Sequence, residues 1–223
     1  MAQGFWDKIA SYLNEVEIES AESKFSGKLT IGFRRGRYVL SSPNAVYSHE
    51  DLYYNFKNVF AKIDLGFKNV LVLGGGLASV PLILEKTYAQ NSSYTLVEID
   101  PVVVGFCQKY ALPNLNSPCE LICASADDYV RECGQKFDCV IVDIFIDADT
   151  PSQFERVEFL EMAKNCLAEN GILLYNRLAP TPEKEQADSV YFQQVFQQIF
   201  PQASMFKILN NKILSSKFYP FEV

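Results

Sequence analysis

The alternation of short apolar strands with helical segments from residue 69 to residue 199 constrains the fold more than any other feature of this sequence. Runs such as "CVIV" and "GILLY" contain no polar residue except tyrosine and cysteine, which is typical of strands buried on both faces of a parallel sheet. The expected strands are 69–73, 94–99, 119–123, 137–142 and 171–175, and the expected helices are 80–89, 102–111, 126–133, 152–168 and 186–199. The sequence therefore predicts a doubly wound α/β domain with a mostly parallel sheet.

The end of the chain predicts a hairpin. The segments "SMFKIL" and "KILSS" are separated only by Asn210 and Asn211, and asparagine tolerates the positive φ angles of a tight turn. The last strand should therefore run antiparallel to its neighbours. A sheet that closes in this way is typical of methyltransferase-type domains, whereas a dinucleotide-binding domain continues with parallel strands.

The first 63 residues predict a different architecture. Residues 17–48 alternate in the manner of strands, and "KLTIGF" and "RYVL" flank a turn at Arg34, Arg35 and Gly36, which indicates a small β unit. A helix is expected over 49–63. A docking helix is expected at the N-terminus, with one apolar face formed by Phe5, Ile9, Tyr12, Leu13 and Val16. We expect two units, an N-terminal one over 1–63 and a nucleotide-binding one over 64–223.

Composition excludes several classes of function. The 223 residues carry a net charge of −7, which argues against a nucleic-acid partner, because phosphate binding needs a basic face. No apolar run reaches the roughly 18 residues of a membrane span. Charged residues also interrupt the N-terminal stretch "MAQGFWDKIASYLNEV" where a signal peptide is apolar. We expect a soluble, cytoplasmic protein with no membrane partner.

Metal and histidine chemistry are not expected. None of the six cysteines forms a C-x-x-C pair, and the chain has one histidine, His49, so neither a zinc site nor a disulfide framework is supported. A catalytic triad would have to use His49, which has no nucleophile motif nearby. The metal prediction is therefore none.

Three glycines follow the first predicted strand and suggest a nucleotide loop. Gly74, Gly75 and Gly76 form G-x-G, but Ala78 and Ser79 occupy the positions where dinucleotide fingerprints have their third glycine. Glu98 ends the next strand, 24 residues after Gly74, and a carboxylate there can accept both hydrogen bonds of a ribose diol. We predict a nucleoside site; the alternative is a glycine turn that only permits close strand–helix packing.

Four segments, "NVLVLGGG", "VEIDPVVV", "FDCVIVDIF" and "GILLYN", resemble in order and spacing the spermidine synthase-like branch of the class I S-adenosylmethionine-dependent transferases. The resemblance covers about residues 17–216 and includes the small β unit. It implies a seven-stranded sheet flanked by helices. S-adenosylmethionine, or its decarboxylated form, would lie across the ends of the first strands.

The resemblance also assigns roles to individual residues. Gly74 to Gly76 would approach the amino acid or propylamine portion of the cofactor, and Glu98 would hold the ribose. Around the adenine it implies Ile99, Ser125 and Ala126. Asp143 falls where aminopropyltransferases keep the carboxylate that takes a proton from the attacking amine, although a strand-end aspartate is also a common turn residue. Tyr54 falls at the tyrosine of the acceptor site.

Departures from the family pattern direct the functional prediction. Leu77 stands where aminopropyltransferases have the aspartate that binds the propyl ammonium, and Asn55 and Phe56 replace the His-Glu that follows the acceptor-site tyrosine. Ser125 stands in place of the adenine-site aspartate. We therefore predict methyl transfer from ordinary S-adenosylmethionine to a small-molecule acceptor, with no advantage for the decarboxylated donor. The alternatives are aminopropyl transfer and a non-enzymatic interaction domain, and a homodimer is left open.

A further alternative is a phosphatase. The segment "IFIDADT" places Asp147 and Asp149 in an arrangement similar to the D-x-D-x-T of aspartyl-phosphate enzymes. Thr150 comes one residue too early, and the motif normally follows a first strand, whereas here three predicted strands of the sheet precede the strand that leads into the segment. We therefore interpret these aspartates as the rim of a loop, with Pro151 starting the next helix.

Overall fold

The computed structural model describes residues 11–220 except 13 and 147–149. Within these residues two sheets form, a four-stranded and a seven-stranded one. The small sheet is antiparallel in the order β1-β2-β3-β4, with β1 at Val16–Ser23, β2 at Gly27–Arg34, β3 at Arg37–Ser41 and β4 at Val46–Ser48. The strands of the large sheet are β5 Asn69–Leu73, β6 Ser93–Glu98, β7 Cys119–Cys123, β8 Phe137–Val142, β9 Leu167–Leu178, β10 Ser204–Ile208 and β11 Asn211–Ser215.

The large sheet has the order β10-β11-β9-β8-β5-β6-β7. Strands β5 to β9 pair in parallel, and β11 is antiparallel to both β9 and β10. The helices are α1 Tyr54–Phe60, α2 Ser79–Tyr88, α3 Pro101–Phe106, α4 Ala126–Glu132, α5 Val157–Asn165, α6 Pro182–Tyr191 and α7 Gln197–Ile199. Wider helical turns at Cys107–Ala111 and Phe192–Phe196 extend α3 and α6. The predicted doubly wound sheet with a C-terminal antiparallel hairpin and a small N-terminal β unit is confirmed.

The hairpin turn lies one residue earlier than predicted. Ile208 pairs with Asn211, so the loop consists of Leu209 and Asn210, and Leu209 takes the positive φ of 52°. Asn211 is a buried residue of β11 whose amide bonds across the sheet to Asn176. This side-chain contact holds Asn211 in the strand, against its intrinsic preference for a turn.

The predicted helix over 152–168 is wrong at both ends. A short turn occupies Ser152–Glu155, and Arg156 is extended, with ψ 150°, before α5 begins at Val157. At the other end β9 starts at Leu167, where it pairs with Phe137. Helical periodicity does not reveal such a single extended residue, because it averages over several turns.

The helix predicted over 49–63 is also divided. A turn at Glu50–Leu52 is followed by Tyr53, which is extended with φ −78° and ψ 90°, and then by α1. Of the predicted N-terminal docking helix, Phe5, Ile9 and Leu13 lie outside the described residues, whereas Val16 begins β1 and so is not helical.

The two sheets pack on a common core. Leu29 and Leu40 of the small sheet belong to the same buried apolar cluster as Val70 and Val72 of β5. The unit boundary expected between 63 and 64 stays a prediction, since the apolar packing is continuous across it. Among the described helices, none combines the length and the apolarity that a membrane crossing needs.

Candidate active site at the strand ends

A cavity of about 520 Å³ opens at the carboxyl ends of β5, β6 and β8. Its walls include Gly74 after β5, Glu98 at the end of β6 and Asp143 after β8, and Tyr47 and Ser48 of the small sheet close one side. The order of the strands reverses between β5 and β8, which is the position where open α/β sheets bind their ligands. Its size is within the range of small-molecule pockets.

Gly74 allows two strand ends to approach each other. Its φ is 92°, and a Cβ at this position would lie 2.1 Å from the carbonyl oxygen of Asp143. The N–H groups of Gly74 and Gly75 both donate to the carbonyl of Val97, at 2.9 and 3.1 Å. The glycine run therefore has a geometric cause, because any side chain at 74 would separate β5 from β8.

The small sheet anchors the glycine loop through two serines. The Oγ of Ser48 accepts from the N–H of Leu77 at 3.1 Å and lies 2.6 Å from the Oγ of Ser79, which also accepts from the N–H of His49. The side chain of Leu77 is 0% exposed and packs in the core. Leu77 is not among the residues that line the cavity, an arrangement that the sequence does not reveal.

Glu98 lies where the sequence predicts a ribose ligand. One carboxylate oxygen accepts from the N–H of Gly76 at 3.2 Å and the other from the N–H of Asp100 at 3.1 Å. A carboxylate has about four acceptor positions, so each oxygen keeps one for a diol. Burial raises the pKa of Glu98, and these backbone donors partly oppose that rise.

The residues expected around an adenine are only partly at the cavity. Ile99 lines it and is 41% exposed, and Ala126 lines it as the first residue of α4. Ser125 is not among the lining residues, although its neighbour Ala124 is. The site therefore offers apolar side chains to a planar ring, and the hydroxyl of Ser125 makes no hydrogen bond as a cap of α4.

Asp143 is bound on one oxygen by two neutral side chains. The amide of Asn176 donates to Oδ1 at 2.8 Å, and the hydroxyl of Tyr53 donates to the same oxygen at 3.4 Å. Burial raises the pKa of Asp143 to about 7, the bonds from Asn176 and Tyr53 oppose the rise, and the charge of Glu98 adds to it. A carboxyl with this pKa is suited to accept a proton near neutral pH.

The structure corrects the choice of tyrosine. Tyr54 is 47% exposed and does not line the cavity, whereas Tyr53 lines it and contacts Asp143. The two tyrosines are adjacent in the sequence. The continuous helix predicted over 49–63 gives no reason to place Tyr53 in the site instead of Tyr54. Tyr53 points inward because it is the extended residue between the short turn and α1.

Sequence reasoning also missed Asn176 and Asn211. Asn176 is a fully buried amide that directly follows the apolar run "GILLY", so a polar residue at the end of a predicted strand was the available signal. Asn211 lines the cavity, and the turn prediction concealed it.

The ionisable side chains at the cavity are acidic. Among the described residues that line it, Glu98, Asp100 and Asp143 carry carboxyl groups, and none is lysine, arginine or histidine. In the described part of the chain no three potential metal ligands come together. Asp147 and Asp149 of the phosphatase-like segment lie outside the described residues, and β8, the strand that precedes them, is the fourth of the large sheet in chain order.

Curated relatives of this chain are polyamine enzymes. It is 27% identical over 155 residues to a polyamine aminopropyltransferase of Vibrio vulnificus, which covers 66% of this chain and 51% of the relative. It is 32% identical over 130 residues to a polyamine aminopropyltransferase of Shigella boydii, which covers 55% of this chain and 44% of the relative. The chain thus spans about half the length of these relatives.

Solved structures share the fold. Spermidine synthase from Thermotoga maritima superimposes with a TM-score of 0.67 at 18% identity, over 90% of this chain and 72% of that one. Human methyltransferase-like protein 13 in complex with SAH gives a TM-score of 0.55 at 22% identity, over 74% of this chain and 76% of that one. At these identities the likeness shows the fold alone.

A family model, the spermine/spermidine synthase domain, matches residues 55–222. The match begins in α1 and includes every strand of the large sheet. It therefore contains Glu98, Asp143 and Asn176, and the small sheet precedes it. The chain belongs to the spermine/spermidine synthase domain family.

Proposed function

We propose that this protein transfers an aminopropyl group from decarboxylated S-adenosylmethionine to a small amine acceptor. The observation that carries the proposal is the charge of the cavity, where three carboxyl groups and no cationic side chain are among the described lining residues. This reverses the preference for methyl transfer drawn from the sequence. The names of the curated relatives favour the same reaction.

The charge argument discriminates between the two donors. Decarboxylated S-adenosylmethionine carries a sulfonium and an ammonium, and both are attracted by Glu98 and Asp143. Ordinary S-adenosylmethionine adds a carboxylate, for which the described lining offers no cation. Two like charges 4 Å apart repel by about 4 kcal/mol at an effective dielectric constant of 20, so the decarboxylated donor is expected to bind more tightly.

Leu77 no longer argues against this donor. Its replacement of an aspartate removes a carboxylate from the glycine loop, but its side chain is buried in the core instead of exposed to the ligand. The ammonium of the donor would then be paired by the carboxylates that do line the cavity. Of these carboxylates, Asp143 is the one that accepts a hydrogen bond from Tyr53, whose hydroxyl also contacts Asn55.

The residues of the chain fit such a ligand. Glu98 keeps two free acceptor positions for a ribose diol, Ile99 and Ala126 offer apolar surface to the base, and the glycine loop leaves space beside Asp143. The bound donor supplies a carbon activated by its sulfonium, so that an amine lone pair forms the new C–N bond as the C–S bond breaks.

Asp143 acts as the general base that accepts a proton from the amine. The amine nitrogen gains a positive charge when it attacks, and the carboxylate of Asp143 accepts the proton that the product ammonium releases. Tyr53 and Asn176 hold the accepting carboxylate by its Oδ1, which leaves Oδ2 for the amine. Such general-base assistance contributes about 100-fold or more to a rate.

The decisive experiment compares donors on the purified full chain. Calorimetric titration with decarboxylated S-adenosylmethionine, S-adenosylmethionine and methylthioadenosine measures binding. Mass spectrometry with a panel of mono-, di- and polyamines detects products. We expect tighter binding of the decarboxylated donor and formation of methylthioadenosine with an aminopropylated amine.

Two outcomes would overturn the proposal. Tighter binding of S-adenosylmethionine with formation of S-adenosylhomocysteine would restore methyl transfer. Binding of nucleosides without any product from either donor would leave a non-enzymatic binding domain.

A further inference from the structure

Asp143 and Asn211, which line the cavity, are joined through the buried Asn176 by a continuous chain of hydrogen bonds. The amide nitrogen of Asn211 donates to Oδ1 of Asn176 at 2.8 Å, and the amide nitrogen of Asn176 donates to Oδ1 of Asp143 at 2.8 Å. The same nitrogen of Asn176 lies 3.3 Å from the hydroxyl of Tyr53. The chain thus connects β11, β9 and the residue after β8 to the tyrosine that precedes α1.

Charge fixes the direction of every bond in this chain. An ionised carboxylate only accepts hydrogen bonds, so Asn176 must turn its NH₂ group toward Asp143. Its carbonyl oxygen then faces Asn211, which must donate in turn. Each amide therefore has one orientation that satisfies its neighbours, and Asn211 supplies the donor that the orientation of Asn176 requires.

The burial of these amides makes the selection strict. Asn176 is 0% exposed and Asn211 is 8% exposed. An amide buried without a partner costs about 1–3 kcal/mol in proteins, and Asn211 supplies the donor for the carbonyl oxygen of Asn176. The neighbouring Asn210, by contrast, is exposed in the turn.

We propose that Asn211 is a positioning residue that acts through Asn176 to hold the carboxylate of Asp143 and the hydroxyl of Tyr53 in one arrangement. This inference rests on the proposed role of Asp143 as the proton acceptor. With Oδ1 occupied by Asn176 and Tyr53, the other carboxylate oxygen is the one presented to an amine.

The arrangement predicts how Asp143 titrates. The groups that face it are Tyr53, Asn176 and the charge of Glu98. The bond from Asn176 stabilises the ionised form of Asp143 and so lowers its pKa, against the effect of burial. Loss of the hydrogen bond from Asn176 should therefore raise the pKa of Asp143 and move its ionisation to higher pH.

Carbon-13 NMR of the Asp143 carboxyl measures this titration without an acceptor or turnover. The full-length variants are Asn211→Ala and Asn176→Ala, the double variant, and Asn210→Ala as the matched control. We expect Asn176→Ala to raise the midpoint by about one pH unit. Asn211→Ala should raise it by a smaller amount, and Asn210→Ala should leave it unchanged.

Non-additivity identifies the route. If Asn211 acts only through Asn176, the double variant titrates like Asn176→Ala alone. The inference is overturned if Asn211→Ala titrates like Asn210→Ala, or if the two shifts add. Because Asn211→Ala alone can give the overturning result, the test survives even if Asn176→Ala does not fold.

The same variants separate this inference from the proposed function. In an active enzyme, Asn211→Ala should lower kcat while the dissociation constant for methylthioadenosine stays within about twofold, since the amide chain does not touch Glu98. If the wild type produces no aminopropylated amine, the proposed function fails. The NMR titration then still decides whether Asn211 orients Asp143.

Discussion

At the scale of single residues, the site separates binding from proton transfer. Asp143→Asn keeps the shape and the hydrogen-bonding capacity of the side chain but removes the base. We expect kcat to fall by about 100-fold or more, whereas binding of methylthioadenosine, which has neither the sulfonium nor the aminopropyl group, stays nearly unchanged. Calorimetry and a product assay measure the two quantities. Preserved turnover would show that Asp143 is only a strand-end turn residue.

Substitution of Glu98 tests the predicted binding of the ribose. Glu98→Ala removes the two oxygens expected to accept from the ribose, and charge-assisted hydrogen bonds of this kind contribute about 1.5–3 kcal/mol. Methylthioadenosine should therefore bind about 10-fold to 150-fold more weakly in calorimetry. Glu120→Ala is the matched control, because Glu120 is exposed on β7 and does not line the cavity. Equal affinities in the two variants would remove Glu98 from the site.

At the scale of elements, the approach of β5 to β8 depends on Gly74. Gly74→Ala would place a Cβ 2.1 Å from the backbone of Asp143 at a φ of 92°, so we expect it to lower the free energy of unfolding by more than about 2 kcal/mol. Gly105→Ala is the control, since Gly105 lies in α3 with nothing within 4 Å of the new Cβ. That change should be neutral or stabilising by up to about 1 kcal/mol.

Urea unfolding of both variants checks this prediction, and methylthioadenosine binding by Gly74→Ala should be lost with the geometry of the loop. Equal unfolding midpoints for the two alanine variants would mean that the strands can separate without cost. In that case ligand binding, and not the packing of β5 against β8, would be the reason for the glycine run.

The elements also show which features are predictable from sequence. Strands 69–73, 119–123 and 137–142 are predicted to the residue, because each is a short segment that β pairing confines between polar turns. The Glu98 and Asp143 positions follow from strand ends alone. The errors at Tyr53, Arg156 and Asn211 share a cause, since in each a single residue departs from the local pattern. Such departures are determined by tertiary contacts that periodicity does not contain.

At the scale of the whole molecule, two sheets cooperate on one cavity. The large sheet supplies the carboxylates at its strand ends, and the small sheet closes the cavity and anchors the glycine loop through Ser48. Leu29 and Val72 belong to one core cluster and both line the cavity, so the small sheet is part of the site. The predicted small β unit is confirmed, whereas its separation as a unit over 1–63 stays a prediction.

The net charge of −7 acts on the same site from a distance. Clefts of one charge sign attract ligands of the opposite sign, and salt weakens this attraction, since the Debye length falls from about 30 Å at 0.01 M to about 3 Å at 1 M. Decarboxylated S-adenosylmethionine, a dication, should therefore bind about tenfold more weakly in 0.5 M salt than in 0.02 M. Methylthioadenosine, which has no charge, should change by less than about twofold.

Calorimetry at the two salt concentrations measures the affinity of the wild type for both ligands. The same measurements on Asp143→Asn separate the electrostatic contribution of the cavity from that of the net charge. Removal of one cavity charge should reduce the salt sensitivity of the dication without abolishing it, because the remaining acidic surface still contributes. If both ligands respond equally to salt, neither the cavity charge nor the net charge selects the donor. The preference for the decarboxylated form would then have to come from direct contacts alone.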